Sequence, residues 1–531
     1  METESAKFLL KNDKDSEHFE SNSEASFSNQ DGSRDVTTGS NRAVERKYEQ
    51  HLQDEGTTSQ SSETRHRVAV IMLLLLGVAF TLFLTRFNFH QNSTPNPGRP
   101  VCTLEMFSND TFAWWACLAV DSLQNNWFPS PIGGLFTYQA WNGFDGFWQN
   151  GLVLQTLANY MISTRSTRYK TVLEASLRDV SELAGAYYPQ PSCDDMLWFA
   201  LSYARVYEAL NDKRFLERSW EIFEWVWDIC WDKTGHCNGG LWFDSSHKYK
   251  ATITNAQALQ LAAKLFRISG NSEFLHRAYQ VEAYIVKNRV ISSDFLVSDG
   301  IDCNSCKPNN VTGYTYNSGV LIGGCVEMYL ASNHSEKYLE VAHDIAQRNI
   351  DYLSRDGILA ESCDDVDACF SNKDARAFKG IFVRNLRQLI DQSSPANGSN
   401  YRNFLRRNVQ SLLANASCNA SRNFYVVCQP VFQDGEPFNS PIGPVFSERW
   451  RGPFTTSSPI EHMSALELII AVVSPSTFCI GPNCNFNPPI PPLDRLTCHP
   501  NPCPQHQDCC TWGDQHTCCT PDQQCINGGC Y

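Results

Sequence analysis

The sequence predicts an all-α fold, an (α/α)6 barrel, set between an apolar N-terminal segment and a small cysteine-rich C-terminal module. Three observations carry that expectation. Helical periodicity recurs from Cys102 to about Ser476, broken by Gly, Pro and Asn clusters. Twelve helical segments begin near Leu104, Trp148, Arg168, Asp195, Lys213, Thr254, Ser272, Tyr316, Glu336, Ala377, Tyr401 and Pro459, and no stretch shows a convincing run of alternating strands. The segments also alternate in character. Even-numbered ones are apolar, as in LWFALSYARVYEAL and SGVLIGGCVEMYLAS, and odd-numbered ones are amphipathic, as in RFLERSWEIFEWVWDIC. Apolar helices alternating with amphipathic ones fit two concentric rings. A helical solenoid is the alternative.

The third observation lies in the first turns of the even-numbered segments. They carry Gln149-Asn150, Asp194-Asp195, Thr254-Asn255, Tyr316-Asn317, Lys379 and Ser457-Ser458. Chain direction alternates in such a barrel, so the inner helices all start at one end. These polar residues are therefore expected to converge on one site.

The remaining elements follow in chain order. Residues 1–67 are rich in Ser, Glu, Asp, Asn and Gln and poor in aromatics, and read as a disordered cytoplasmic tail. Residues 68–85, VAVIMLLLLGVAFTLFLT, form a run of 18 uncharged residues between Arg67 and Arg86, near the short end of what spans a bilayer. A cleaved signal peptide is the competing reading, but 67 residues precede the run and no Ala-x-Ala follows it. Arg65, His66 and Arg67 favour a cytoplasmic N-side, giving a single-pass type II signal-anchor. Residues 86–101 read as a stalk, 102–476 as the helical domain and 477–497 as a linker rich in Pro and Asn. Residues 498–531 hold eight cysteines in 34 residues, the density of a disulfide-stapled module.

Composition narrows the function classes. A chain of 531 residues can bury a large core, and a net charge of -14 argues against a nucleic-acid partner. Aromatics make up 12% of the chain against 19% charged residues, which suits a packed helical core or a sugar-binding cleft. All 22 cysteines lie from Cys102 to Cys530, as disulfides in an oxidising compartment would. Seven glycosylation sequons, at Asn92, Asn109, Asn310, Asn333, Asn397, Asn415 and Asn419, lie on the same side of the apolar run. A lumenal location in the secretory pathway, or an extracellular one, follows for this part.

The sharpest chemical feature is CDDMLWF, residues 193–199. One Asp at a helix start needs no explanation beyond capping and the helix dipole. A second beside it, opening an apolar helix at the mouth of a barrel, supplies the two carboxyl groups that glycoside hydrolysis requires. Repulsion between them and aromatic neighbours would raise the pKa of one. Asp364-Asp365 reads instead as a solvated loop, with a calcium site as the remote option. Cys303-x-x-Cys306 reads as disulfide cysteines, because no second such pair stands at zinc spacing. His-Glu-x-x-His, P-loop and Gly-x-Ser-x-Gly patterns are absent, and neither a metal nor a cofactor is expected.

Four further strings accompany the Asp pair: FDGFWQNGLVLQTLANYM (144–161), CNGGLWFDSSHKYKATITNAQALQLAAKLF (237–266), GYTYNSGVLIGGCVEMYLA (313–331) and AFKGIFVRNL (377–386). With DDMLWFALSYARVYEAL (194–210) they resemble the family 76 glycoside hydrolases, the endo-α-1,6-mannanase family, over roughly residues 102–475. The resemblance implies an (α/α)6 barrel and retaining cleavage of α-1,6-mannosidic bonds in mannan or a mannose-rich glycan. It makes Asp194 the nucleophile and Asp195 the general acid/base. It makes Trp148, Trp198, Trp242, Tyr314 and Tyr316 sugar-facing rings, and Asn150, Asn255, Asn317 and Lys379 hydrogen-bonding groups. Ser318 and Asn238-Gly239-Gly240 depart from the family pattern, which bears on subsites more than on the reaction. A transglycosidase using the same Asp pair and a catalytically silent glycan-binding ectodomain are the alternatives.

Overall fold

The computed structural model describes residues 102–128, 136, 146–177, 192–309, 311, 314–364, 373–418, 441–477, 479–480 and 484, with short strands at 431–433, 436–438, 508–512, 515–519, 525–526 and 529–530. The expected tail, signal-anchor and stalk, and most of the linker, lie outside the described residues. Among the described residues no helix is long and apolar enough to cross a membrane.

Twelve α-helices are present among the described residues. They are α1 (Thr111–Trp127), α2 (Phe147–Thr164), α3 (described over 170–177), α4 (Cys193–Leu210), α5 (Lys213–Cys230) and α6 (Thr252–Ser269). The chain continues through α7 (Ser272–Lys287), α8 (Thr315–Ala331), α9 (Lys337–Leu353), α10 (Ala375–Gln392), α11 (Pro395–Asn415) and α12 (Pro459–Ala471). The even-numbered helices pack α2 on α4, α4 on α6, α6 on α8, α8 on α10 and α10 on α12, and α12 returns to α2. That closed inner ring excludes the solenoid. The odd-numbered helices lie outside, α5 on α4, α7 on α6, α9 on α8 and α1 on α12.

Burial follows the sequence pattern. Inner α6 buries 14 of its 18 residues, whereas outer α5 buries six of 18, at Phe215, Ser219, Ile222, Phe223, Val226 and Cys230. The outer spacing is a single helical stripe. Close approach of the inner helices rests on glycine. A Cβ on Gly319 of α8 would stand 2.6 Å from Phe382 Cα of α10, and one on Gly380 of α10 would stand 2.7 Å from Ser464 Cα of α12.

Helix starts differ between the rings. Asp110, Asp212, Asn271 and Ser394 cap outer helices α1, α5, α7 and α11 with their own side chains. The starts of inner α2, α4, α6, α8 and α10 have no side-chain cap, and only α12 carries a capping box, Ser458 with Glu461. Five inner helices thus start without a side-chain cap of their own and bring their positive ends to one end of the barrel, where partners from elsewhere take some first-turn N–H groups, as Phe243 does for Cys193 and Asp299 for Thr252. Two helix starts miss their expected positions. The first helix begins at Thr111 after a 3-10 turn at Glu105–Phe107, and α11 begins at Pro395 rather than Tyr401, set by the Ser394 cap and proline at the first position.

Disulfides join Cys102 to Cys117, Cys193 to Cys230, Cys237 to Cys306 and Cys479 to Cys484. The expectation that Cys303 and Cys306 are both disulfide cysteines is corrected: Cys306 pairs with Cys237, and Cys303 is a free thiol, as is buried Cys325. In the C-terminal module, Asp508–Trp512 pairs antiparallel with Gln515–Cys519. Asn109, Asn333, Asn397 and Asn415 are exposed, while Asn92, Asn310 and Asn419 lie outside the described residues.

Candidate active site

Asp194 and Asp195 open α4 and are buried, at 8% and 7% exposure. The Cys193–Cys230 disulfide ties this start to the end of α5, and Cys193 N–H donates to the Phe243 carbonyl at 2.8 Å. Burial pushes the Asp194 carboxyl up to about 7, and the negative charge of Asp374 adds to that. The Ser192 hydroxyl and the first-turn N–H groups of Asp194 and Asp195 favour the ionised form without offsetting burial.

The neighbouring inner helices close around this pair. Gln149 of α2 donates to Asp374 Oδ1 at 3.2 Å, and Gln257 of α6 donates to the Asp194 carbonyl at 3.2 Å. Tyr316, opening α8, stacks on Phe378 of α10 at 3.9 Å, and burial together with Asp299 and Asp194 holds its hydroxyl well above the usual range. Asn317 and Tyr249 both donate to Asp299, at 3.0 and 2.9 Å. Trp148 and Trp198 lie 5.8 Å apart; Trp148 is half-buried and Trp198 is enclosed.

Buried polar atoms mark the same end. Gln149 Oε1, Asp194 Oδ1, Thr252 Oγ1, Thr254 Oγ1, Gln257 Oε1, Asn317 Oδ1, Thr456 Oγ1 and Ser457 Oγ have no hydrogen-bond partner among the described residues. All but Gln257, in the second turn of α6, belong to or directly precede the first turns of inner helices. Native interiors rarely leave such groups unpaired, and where they cluster a polar ligand is the simplest partner. A carbohydrate, with its ring of hydroxyls, matches that demand.

The structure places Trp148 against Trp198 of α4, Tyr316 within reach of the Asp194 charge with Tyr314 packed on it, and Asn317 on Asp299, and it diverts four other expected residues. Asn150 takes the Phe136 N–H at 2.8 Å and donates to the Phe136 and Gly146 carbonyls. Asn255 does the same for Leu241, accepting from its N–H at 2.8 Å and donating to its carbonyl at 3.0 Å. An Asn side chain offers one acceptor and donors, so it completes a backbone N–H and C=O pair as a strand would. Asn126 of outer helix α1 clamps Ile442 in the same manner, and Asn408 of α11 accepts from the Leu359 N–H and donates to the Gly357 carbonyl. Asn150 and Asn255 are therefore loop clamps, with amides already filled.

Trp242 is likewise not an open platform. Lys250 Nζ sits 4.3 Å from its ring centroid, with His236 and His247 alongside. Lys250 is fully buried and bonds Asp232 and the Gly239 carbonyl, both at 2.6 Å. Lys379 is buried and paired with Asp364 at 2.7 Å. The solvated-loop reading of Asp364 is thus corrected: it is 4% exposed and accepts from Lys379 and from the Glu361 N–H. Asp365 lies outside the described residues. Glu361 in turn holds the Thr315 N–H and hydroxyl at the start of α8, and burial pushes its carboxyl up to about 8.

Sequence reasoning missed Asp374, Asp299, Tyr249 and Phe378. Asp374 had a signal, an Asp at the N-cap position before an apolar run. Asp299 and Tyr249 had none, because only chain reversal between α6 and α8 brings them to the site. The His, Cys and Asp clusters within metal-ligand reach, His236–Cys237–Cys306 and Cys102–Cys117–Asp121, contain disulfide-bonded cysteines, which are not thiolate ligands.

Residues 121–472 match glycosyl hydrolase family 76, and the chain belongs to that family. Among curated proteins it is similar to the mannan endo-1,6-alpha-mannosidase DFG5 of Saccharomyces cerevisiae, 29% identical over 54% of this chain and 58% of the relative. It is also 30% identical to the mannan endo-1,6-alpha-mannosidase DCW1 of Eremothecium gossypii, over 44% of this chain and 49% of the relative. These alignments span about half the length of the curated relatives. Among solved structures, the GH76A alpha-1,6-mannanase of a Salegentibacter species superposes with a TM-score of 0.56 at 20% identity, covering 68% of this chain and 98% of that one. An inactive variant of that mannanase, with two aspartates changed to asparagine and α-1,6-mannotriose bound, gives a TM-score of 0.55 at 19% identity over 68% and 99% of the two chains. Dfg5 of Chaetomium thermophilum, in complex with glucosamine, gives 0.55 at 18% identity over 71% and 92%. These likenesses establish the fold as that of the family 76 barrel.

Proposed function

We propose that this chain is a retaining glycoside hydrolase acting on α-1,6-mannosidic linkages in mannan or a mannose-rich glycan. The observation that carries the reading is the buried Asp194-Asp195 pair set among inner-helix N-termini and polar atoms that have no partner among the described residues. Names of relatives that act on α-1,6-mannan supply the linkage. Asp194 attacks the anomeric carbon, Asp195 protonates the departing oxygen, and water then hydrolyses the glycosyl-enzyme with Asp195 as base. Tyr316 and Phe378 form an aromatic wall, Trp148 lines the opposite side, and Asn317 offers its free Oδ1 to a sugar hydroxyl.

The raised Asp194 carboxyl favours one second reading, with the two roles exchanged. A group at about 7 is half protonated at neutral pH, which suits an acid as well as a nucleophile that ionises above it. A fluorinated mannosyl fluoride that traps the glycosyl-enzyme, followed by peptide mass spectrometry, assigns the nucleophile to one of the two.

The reaction itself is tested on the purified full chain with linear α-1,6-manno-oligosaccharides. Shorter products of retained configuration support hydrolysis, and longer products point to transfer onto a sugar acceptor. Binding without turnover would favour the silent glycan-binding ectodomain, and neither binding nor turnover would remove the mannan assignment. We further propose that residues 68–85 anchor the chain as a type II membrane protein with the barrel lumenal or extracellular. Glycosylation at Asn109, Asn333, Asn397 or Asn415, detected by glycosidase-sensitive mobility, tests that orientation.

A further inference from the structure

At the barrel end opposite Asp194, the C-terminal halves of α2, α4, α10 and α12 line a solvent-open cavity of about 170 Å³. Its charged lining is Arg165, Arg205, Arg384 and Arg387 against Asp391 and Glu467. Helix C-termini carry partial negative charge, which explains some arginine here. It does not explain guanidinium groups left over after the ion pairs are made.

Arg205 donates through Nε to Asn159 at 2.7 Å and through Nη1 to Glu208 at 2.7 Å, leaving Nη2 without an acceptor among the described residues. Arg387 uses Nε on Asp391 and Nη1 on the Ala471 and Val473 carbonyls, and its Nη2 is likewise unused. Arg384 has a side chain 2% exposed, is paired with Glu467, and keeps an Nε with no acceptor. Burial and the nearby charge of Arg205 both disfavour the charged form of Arg384. Arg165 stands exposed at the C-cap of α2 with no ion pair among the described residues. Asn159, Ser163 and Gln388 add neutral hydrogen-bonding groups to the lining.

We propose that this cavity is a binding site for a phosphate group, separate from the active site. Several guanidinium groups with spare N–H donors match the oxygens of a phosphate, a geometry that lysines do not provide. The volume is comparable to the roughly 150 Å³ engineered cavity that holds a benzene ring. Phosphate alone fits that volume, and a sugar carried on the phosphate would extend through the solvent-open side beside exposed Arg165, with Asn159, Ser163 and Gln388 as neutral partners.

The test is calorimetric titration of the purified full chain with inorganic phosphate and with mannose 6-phosphate, at constant ionic strength against a chloride control. Saturable binding is expected. Arg165→Glu, which breaks no pair, should weaken it about tenfold or more. Arg205→Lys keeps a cation beside Glu208 but removes the fork, and should also weaken it. Tighter binding of the sugar phosphate assigns the site to a phosphorylated sugar, and equal binding assigns it to phosphate alone. No saturable heat with either ligand, or affinity unchanged in both variants while they remain folded, overturns the proposal.

Discussion

The two ends of the inner ring are made by the same six helices and treat their buried carboxyl groups in opposite ways. At the mouth, Asp194, Gln149, Gln257 and Asn317 hold polar atoms with no partner among the described residues. At the far end, Glu208 and Glu327 are bridged by Lys264 and Arg267 at 2.6–2.9 Å, with Arg205 completing the set. Burial alone would raise the Glu208 carboxyl, yet Lys264, Arg205 and Arg267 together hold it well below the usual range. The Asp194 carboxyl moves the other way. One end joins α4, α6 and α8 through paired charges; the other leaves its carboxyl Asp194 without a cation among the described residues. The difference separates a stabilising polar core from a reactive one more clearly than polarity alone.

Four changes break or sharpen that contrast, beginning with the largest effect. Asp194→Asn and Asp195→Asn should each lower turnover of α-1,6-manno-oligosaccharides by about 10²–10⁴-fold or more with circular dichroism unchanged. A near-native rate in either variant would remove that residue from its role. Glu208→Gln, at the other end, should cost about 3–5 kcal/mol of stability, since three cations lose a buried counter-charge. The denaturant midpoint reads this out, and a change within error would mean that the network is redundant.

Asn255→Ala should cost about 1–3 kcal/mol, because it strands the Leu241 N–H and carbonyl. A sugar contact would instead raise KM and leave the melting temperature in place. The smallest effect is the most diagnostic. Asp194 has its native pKa raised from an ordinary 3.8 to about 7. Its burial costs nothing below about pH 4, where it is neutral folded or unfolded. The cost grows as pH rises toward 7 and is constant above. Asp194→Asn should therefore raise the melting temperature near pH 8, by about 0.5–2 kcal/mol of stability, and the gain should vanish near pH 4. A loss of stability at pH 8 would place Asp194 among structural groups.

Much of this was legible in the chain. The alternation of apolar and amphipathic segments located both rings, because burial on all sides or on one side is written directly into hydrophobic spacing. Asp194-Asp195 stood out because two carboxylates opening an apolar helix exceed what capping needs. The asparagines misled for a physical reason. Asn150 and Asn255 sit where sugar ligands were expected, and an amide binds a backbone segment with the same atoms it would offer to a hydroxyl. Lys379 and Asp364 misled together: neither shows its partner in sequence, since 14 residues separate them and the pair forms only when α10 packs beside the preceding loop.

The sequence by itself determined the ring order, the helix count and the end of the barrel at which chemistry is concentrated, because those depend on local periodicity and chain direction. Tertiary structure alone decided which polar side chains remain unpaired. Whether a buried group is clamp, counter-ion or reactant depends on the atoms that reach it from other helices. For Asp374, Asp299 and the arginines of the far cavity, those atoms come from elements distant along the chain.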